Sequence, residues 1–108
     1  MKYPFLDLAA VNAPMLAQIQ DAAARVIASG RYIGGPETEA FEQRLAELAG
    51  TAFAVGVSNG LDALRLIFRA YIELGRLRPG DAVIVPANTY VASFLAVSDC
   101  GLRIVPVD

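Results

Sequence analysis

Three short, nearly uninterrupted apolar runs constrain the fold most: Ala52 to Val57 (AFAVGV), Ala82 to Pro86 (AVIVP) and Leu102 to Val107 (LRIVPV). A run of this kind, without alternating polar residues, suits a strand covered on both faces, and such strands belong to parallel sheets with crossover helices packed against them. The intervals between the runs carry the complementary signal. Leu64, Ile67, Phe68 and Tyr71 follow the i, i+3, i+4, i+7 spacing of a helix. Gly75 closes that helix, and the Pro79-Gly80-Asp81 turn feeds the second run. Thr89 is placed to cap a further helix through about Asp99, with Val91, Phe94, Leu95 and Ser98 on one side, before Gly101 introduces the third run. The order strand, helix, strand, helix, strand predicts the α/β class.

The residues before position 51 read differently. Asn12 and Pro14 predict a helix start, with Leu16, Ile19, Ala23, Val26 and Ile27 on one face and Gly30 as the stop. The turn Arg31-Tyr32-Ile33-Gly34-Gly35 leads into a second helix opened by Pro36. Glu37 and Glu39 sit at its positive end, Phe41, Leu45 and Leu48 form the buried stripe, and Gly50 ends it. The expected organisation is a helical segment over 1–50 and the start of an α/β domain over 51–108. Because a sheet of this kind would continue after its third strand, the chain reads as a truncated N-terminal part of a larger fold.

Several chemistries are excluded. One cysteine, Cys100, and no histidine among 108 residues rule out disulfides, Cys/His zinc sites and Ser-His nucleophiles. Cys100, late in an apolar helix pattern, reads as a small packed residue. The net charge of -2, with cations scattered among as many carboxylates, argues against a nucleic-acid partner. The start MKYPFLDLAA lacks the apolar core of a signal peptide, and no stretch approaches the roughly 20 apolar residues that span a bilayer. The expectation is a cytoplasmic protein.

Candidate chemistry gathers at the ends of the apolar runs. In α/β sheets ligands bind beyond the carboxyl ends of strands, and Ser58-Asn59-Gly60 opening a helix presents backbone N–H groups to an anion. Ser58 to Asp62 is thus a candidate phosphate cradle, although Asn-Gly before a helix also serves as a plain cap and turn. Neither G-x-G-x-x-G nor G-x-x-x-x-G-K-[ST] is present, which leaves a single small phosphate rather than a dinucleotide or a nucleoside triphosphate. The second run ends in Pro86-Ala87-Asn88-Thr89-Tyr90, bringing polar Asn88 and aromatic Tyr90 to the same sheet edge. Tyr90 is either a stacking platform or a core-filling ring.

Four segments, FLDL (Phe5 to Leu8), SGRYIGGPETEAFE (Ser29 to Glu42), AVGVSNGLDAL (Ala54 to Leu64) and GDAVIVPANTYVAS (Gly80 to Ser93), resemble in order and spacing the N-terminal third of the DegT/DnrJ/EryC1/StrS family of pyridoxal-phosphate-dependent nucleotide-sugar aminotransferases. Within it, NGLDAL, RAY and PANTY look most like enzymes that aminate C3 of dTDP-3-keto-6-deoxyhexoses. The resemblance implies the large domain of the aspartate-aminotransferase fold (fold type I) and a homodimer with active sites at the subunit interface. It also implies amino transfer from glutamate, through pyridoxamine phosphate, to a keto sugar nucleotide in deoxyamino-sugar and polysaccharide biosynthesis. Carried over by residue, it assigns the backbone amides of Leu61 and Asp62 to the cofactor phosphate, with Gly60 allowing close approach. Tyr90 is assigned to the pyridine ring, and Tyr32 and Asn88 to the neighbourhood of the substrate. Leu61 stands where the family commonly has Thr, which removes a hydroxyl contact and keeps the amide. In the same family sheet, Ala52 to Val57 is not paired directly with the next two strands.

A pyridoxal enzyme also needs a Schiff-base lysine and a carboxylate that keeps the pyridine nitrogen protonated. The only lysine is Lys2, and in the family the corresponding lysine lies far downstream. No catalytic residue and no metal ligand are therefore assigned within this chain. Another fold type I enzyme, whether a 4-keto sugar aminotransferase or a lyase of sulfur amino acids, and a non-catalytic fragment remain as alternatives.

Overall fold

A computed structural model describes residues 4–108, which leaves Lys2 outside the described residues. The chain divides after Gly56 into two compact units. The first holds α1 (Leu8–Asn12), a 3-10 turn (Ala13–Met15), α2 (Leu16–Ser29) and α3 (Pro36–Ala49); the second holds α4 (Gly60–Glu73), β1 (Ala82–Pro86), α5 (Ala92–Asp99) and β2 (Arg103–Val107).

In the first unit the chain turns helical earlier than Asn12. The Asp7 carboxylate accepts from the Ala10 amide at 3.0 Å and so caps α1. Pro14 then falls in the 3-10 turn, because proline brings no N–H to an α ladder, and α2 starts only at Leu16. The predicted ends hold. Gly30 and Gly50 adopt φ of 67° and 66°, the left-handed conformation that ends a helix at little cost only for glycine. The predicted stripes do not become a core within this unit. Leu16, Ile19, Ile27, Phe41, Leu45 and Leu48 are all exposed, and the covered side of α3 instead carries half-buried Glu42 and buried Ala46. Against that side lies Thr51 to Gly56. The Thr51 amide donates to the Ala46 carbonyl at 3.0 Å, and the Gly56 amide donates to the Glu42 carboxylate.

These bonds explain a correction to the predicted first strand. Ala52 to Val57 is not a β-strand here, since no described backbone pairs with it, and an apolar run without a ladder partner stays an extended segment. The segment therefore groups largely with the helical unit rather than opening the α/β part.

The second unit is a β-α-β motif with α4 added. Strands β1 and β2 pair in parallel, Ala82 opposite Arg103 through Pro86 opposite Val107. The ladder is extended by Arg103 N–H to Asp81 O at 2.9 Å and Ala87 N–H to Val107 O at 2.7 Å. On one face of this pair Val85, Val97 and Leu102 form the core, with Phe68 and Ile72 of α4, Phe94 and Cys100 packed against it. Cys100 thus packs as a small core neighbour. Fully buried Val97 alone is worth about 1.5–3 kcal/mol relative to exposure.

Two helix details differ from the periodicity. α5 buries Ala96 and Val97, while Val91 and Leu95 stay exposed. It starts at Ala92, too late for Thr89 to cap it, so the Thr89 hydroxyl pairs with that of Ser93 at 3.0 Å. In α4 the covered stripe is Leu64, Phe68 and Ile72, and Ile67 and Tyr71 face outward. One covering neighbour on one side buries a narrow i, i+4 stripe, whereas the wider stripe in the sequence suits a helix covered more broadly. The far face of the strand pair is likewise open, with Ile84 69% exposed.

So much apolar surface in water sets an expectation for residues 1–108 made alone. They should self-associate or melt without a cooperative transition, because a whole domain has only about 5–15 kcal/mol of stability and exposed apolar patches of this extent drive association. Light scattering and thermal unfolding on the same sample check this, and a monodisperse monomer with a sharp transition would contradict it.

Candidate functional site

The turn that opens α4 is built by a side chain satisfying a backbone. Asn59 is extended (φ -166°, ψ 172°) at the N-cap, and its Oδ1 accepts from the Asp62 amide at 2.9 Å. Its carbonyl accepts from the Ala63 amide at 3.0 Å. Two of the first amides of the helix are thereby engaged. No described group accepts from the amides of Gly60 and Leu61. At Gly60 an added Cβ would meet nothing within 4 Å, so the backbone is open to close approach. Two unengaged N–H groups at the positive end of a 14-residue helix, beside an open glycine, fit a small anion such as a cofactor phosphate.

The Asp62 side chain is the organising charge of the turn. Its carboxylate accepts from the Ser58 hydroxyl, from Asn59 Nδ2 at 3.0 Å and from Arg65 Nη1 at 3.2 Å. The Ser58 hydroxyl above all, then the Arg65 guanidinium and the Asn59 amide, hold the Asp62 carboxyl below its ordinary pKa. Arg65 also donates from Nε to Asp99 Oδ2 at 2.8 Å, with Nη2 on the same oxygen. Asp99, first among its partners, and Asp62 push the Arg65 pKa upward.

The sequence-derived site residues fall into separate places. Gly60, Leu61 and Asp62 share the α4 turn, but the Asp62 amide is taken by Asn59, so the pair without an acceptor is Gly60 and Leu61. Tyr90 and Asn88 follow the carboxyl end of β1, both exposed and with no side-chain hydrogen bond among the described residues. At 79% exposure Tyr90 is not a core-filling ring of this unit. Tyr32 lies in the first unit, its hydroxyl 3.5 Å from the Ile27 carbonyl. Arg65 and Asp99 were not singled out from the sequence. The i, i+3 spacing of Asp62 and Arg65 on a predicted helix was a readable signal, whereas the link to Asp99, 34 residues on, required the fold. Among the described residues no group of three His, Cys, Asp or Glu could hold a metal, and no helix is long and apolar enough to cross a membrane.

A model of the DegT/DnrJ/EryC1/StrS aminotransferase family matches residues 15–108. The chain belongs to this family. It is 50% identical over 107 residues, 99% of its length, to dTDP-3-amino-3,4,6-trideoxy-alpha-D-glucose transaminase of Streptomyces venezuelae, and covers 27% of that protein. It is also 50% identical over 105 residues, 97% of its length, to dTDP-3-amino-3,6-dideoxy-alpha-D-galactopyranose transaminase of Aneurinibacillus thermoaerophilus, covering 28% of it. Among solved structures it matches S. venezuelae DesV in complex with a ketimine intermediate, with TM-score 0.83 and 52% identity over 96% of this chain and 27% of that one. This DegT/DnrJ/EryC1/StrS chain therefore spans about a quarter of the length of these relatives, and its α/β fold is that of their pyridoxal-enzyme scaffold.

The turn makes its own predictions. Asn59→Ala should cost about 0.5–2 kcal/mol, the usual loss for an N-cap, and Asn59→Ser should restore most of it; denaturant unfolding of the protein that carries this chain measures both. Because the folded Asp62 pKa is depressed, the carboxylate contributes stability above the ordinary carboxylate range and loses it as pH falls through the depressed value. An NMR titration should place Asp62 below about 3.9, the free aspartate value. A midpoint at or above that value would contradict the bonding described.

Proposed function

We propose that the protein carrying this chain is a pyridoxal-phosphate-dependent aminotransferase that moves an amino group from glutamate to a keto sugar nucleotide, with dTDP-3-keto-6-deoxyhexoses as the substrate class. The observation that carries the reading is the α4 turn, with its Gly60 and Leu61 amides unengaged beside an open glycine, in a family member 50% identical to two dTDP-sugar 3-transaminases. The same reading makes the protein a cytoplasmic homodimer with a role in deoxyamino-sugar biosynthesis.

Each residue has a task under this reading. The Gly60 and Leu61 amides donate to the phosphate, and the α4 dipole adds its positive end. Leu61 contributes its amide alone, since its side chain has no hydroxyl. Asp62 acts indirectly: its carboxylate ties Ser58, Asn59 and Arg65 into one rigid turn. Tyr90, exposed beyond β1, offers a flat face to the pyridine ring, and Asn88 next to it offers an amide to the substrate. Tyr32, exposed in the first unit, keeps the sugar-nucleotide role that the family resemblance gives it. Bound in this way, the cofactor supplies the electron sink that amino transfer requires. No residue of this chain is assigned the proton-transfer step, as Lys2 is the only lysine.

The activity test supplies a dTDP-3-keto-6-deoxyhexose and glutamate and measures 2-oxoglutarate. Formation of 2-oxoglutarate that depends on the sugar nucleotide is the expected result. Its absence with 3-keto substrates contradicts the 3-keto assignment, and its absence with 4-keto substrates as well contradicts an aminotransferase. Tyr90→Ala should weaken cofactor binding by about 0.5–1.5 kcal/mol beyond the loss of buried area. Unchanged affinity in a cofactor titration would remove Tyr90 from the site.

A further inference from the structure

We propose that Arg65 is a positioning residue that tunes the α4 turn for a phosphorylated ligand by offsetting the Asp62 charge and holding that carboxylate away from the free amides. The inference rests on the reading that this turn receives the cofactor phosphate. A carboxylate in the first turn of a helix competes for the same positive end that attracts a phosphate. Asp62 is such a group, at the third position of α4 and two residues from Gly60. Its oxygens are nonetheless directed to Ser58, Asn59 and Arg65 rather than to the Gly60 and Leu61 amides.

Arg65 is itself fixed from outside the turn. Its Nε and Nη2 hold Asp99, the last residue of α5, where a cation also suits the negative end of that helix. A planar guanidinium can serve both carboxylates from one rotamer, which a lysine cannot do with the same geometry. About a third of each of these side chains is exposed, with relative accessibilities of 35%, 38% and 39% for Arg65, Asp62 and Asp99. Ion pairs this exposed add little to folding stability. Asp62 stands one and two positions after the unengaged amides in the first turn of α4, so an incoming dianion meets its charge there. Arg69, one turn further along α4, lines the same groove with Ser58, Asp62 and Arg65, and adds positive charge on that side.

The test compares pyridoxal 5'-phosphate with pyridoxal in the protein that carries this chain, reading the ratio of their dissociation constants. Arg65→Gln keeps hydrogen-bonding capacity but not charge. It should lower the preference for the phosphorylated form about two- to fivefold, the size of a charge effect at an exposed helix N-terminus. Adding Asp62→Asn to it should restore the ratio, since the two changes together keep the charge balance at the turn. Asp62→Asn alone must not lower the ratio, which provides a second arm should Arg65→Gln fail to fold. Equal weakening of both ligands, an unchanged ratio, or no recovery in the double variant would overturn the role of Arg65. A parent protein with no preference for the phosphorylated form would overturn the underlying phosphate assignment instead.

Discussion

Everything in the second unit depends on the burial of Val97 against the parallel pair of β1 and β2. That contact turns a short helix of small and apolar residues into a crossover, and it gives Phe68 and Ile72 of α4 a surface to cover. With Phe68 and Ile72 fixed, the polar face of α4 presents Arg65 to the end of α5, where it finds Asp99. The apolar core thus sets the position of an ion-pair network that contributes little stability itself. Packing decides where the charges stand.

At that turn, local capping and ligand binding draw on the same scarce resource, the unpaired amides of a helix start. Asn59 takes the Asp62 amide, and its backbone carbonyl takes that of Ala63. What is left is the pair at Gly60 and Leu61. Asp62 would crowd this pair with negative charge if its carboxylate were loose, and three donors prevent that. The result is a short chain that is acidic overall, yet keeps one helix start available to an anion.

Much of this was legible from residue order alone, for reasons that differ between elements. Gly30 and Gly50 mark helix ends because only glycine takes φ near 67° cheaply, and this local rule held. AVIVP and LRIVPV read as buried parallel strands; β1 and β2 do pair in parallel across a single crossover helix, but Val85 is the one buried residue of the two strands, because one face of the pair is uncovered. AFAVGV carried the same signal and failed to form a strand, since pairing is a property of two segments and no described segment pairs with it. The stripe of Leu16, Ile19 and Ile27 and that of Phe41, Leu45 and Leu48 are real periodicities, yet periodicity does not supply a covering surface, and these residues stay exposed. The helix start at Ser58-Asn59-Gly60 was visible as SNG before a helical pattern. Which amides remain unengaged was not, because it depends on the Asn59 rotamer. Arg65 and Asp99 belong to one network only through a contact across 34 residues, which no window of sequence displays.

On the proposed reading, the start of α4 holds a phosphate through the Gly60 and Leu61 amides while Arg65 holds Asp62 aside. A crystal structure of the protein that carries this chain, with pyridoxal 5'-phosphate bound, tests it most directly. Phosphate oxygens are expected about 2.7–3.2 Å from both amide nitrogens, with the Asp62 carboxylate still bonded to Arg65 and Ser58. A phosphate bound elsewhere, or one reached only after Asp62 has left Arg65, would contradict it.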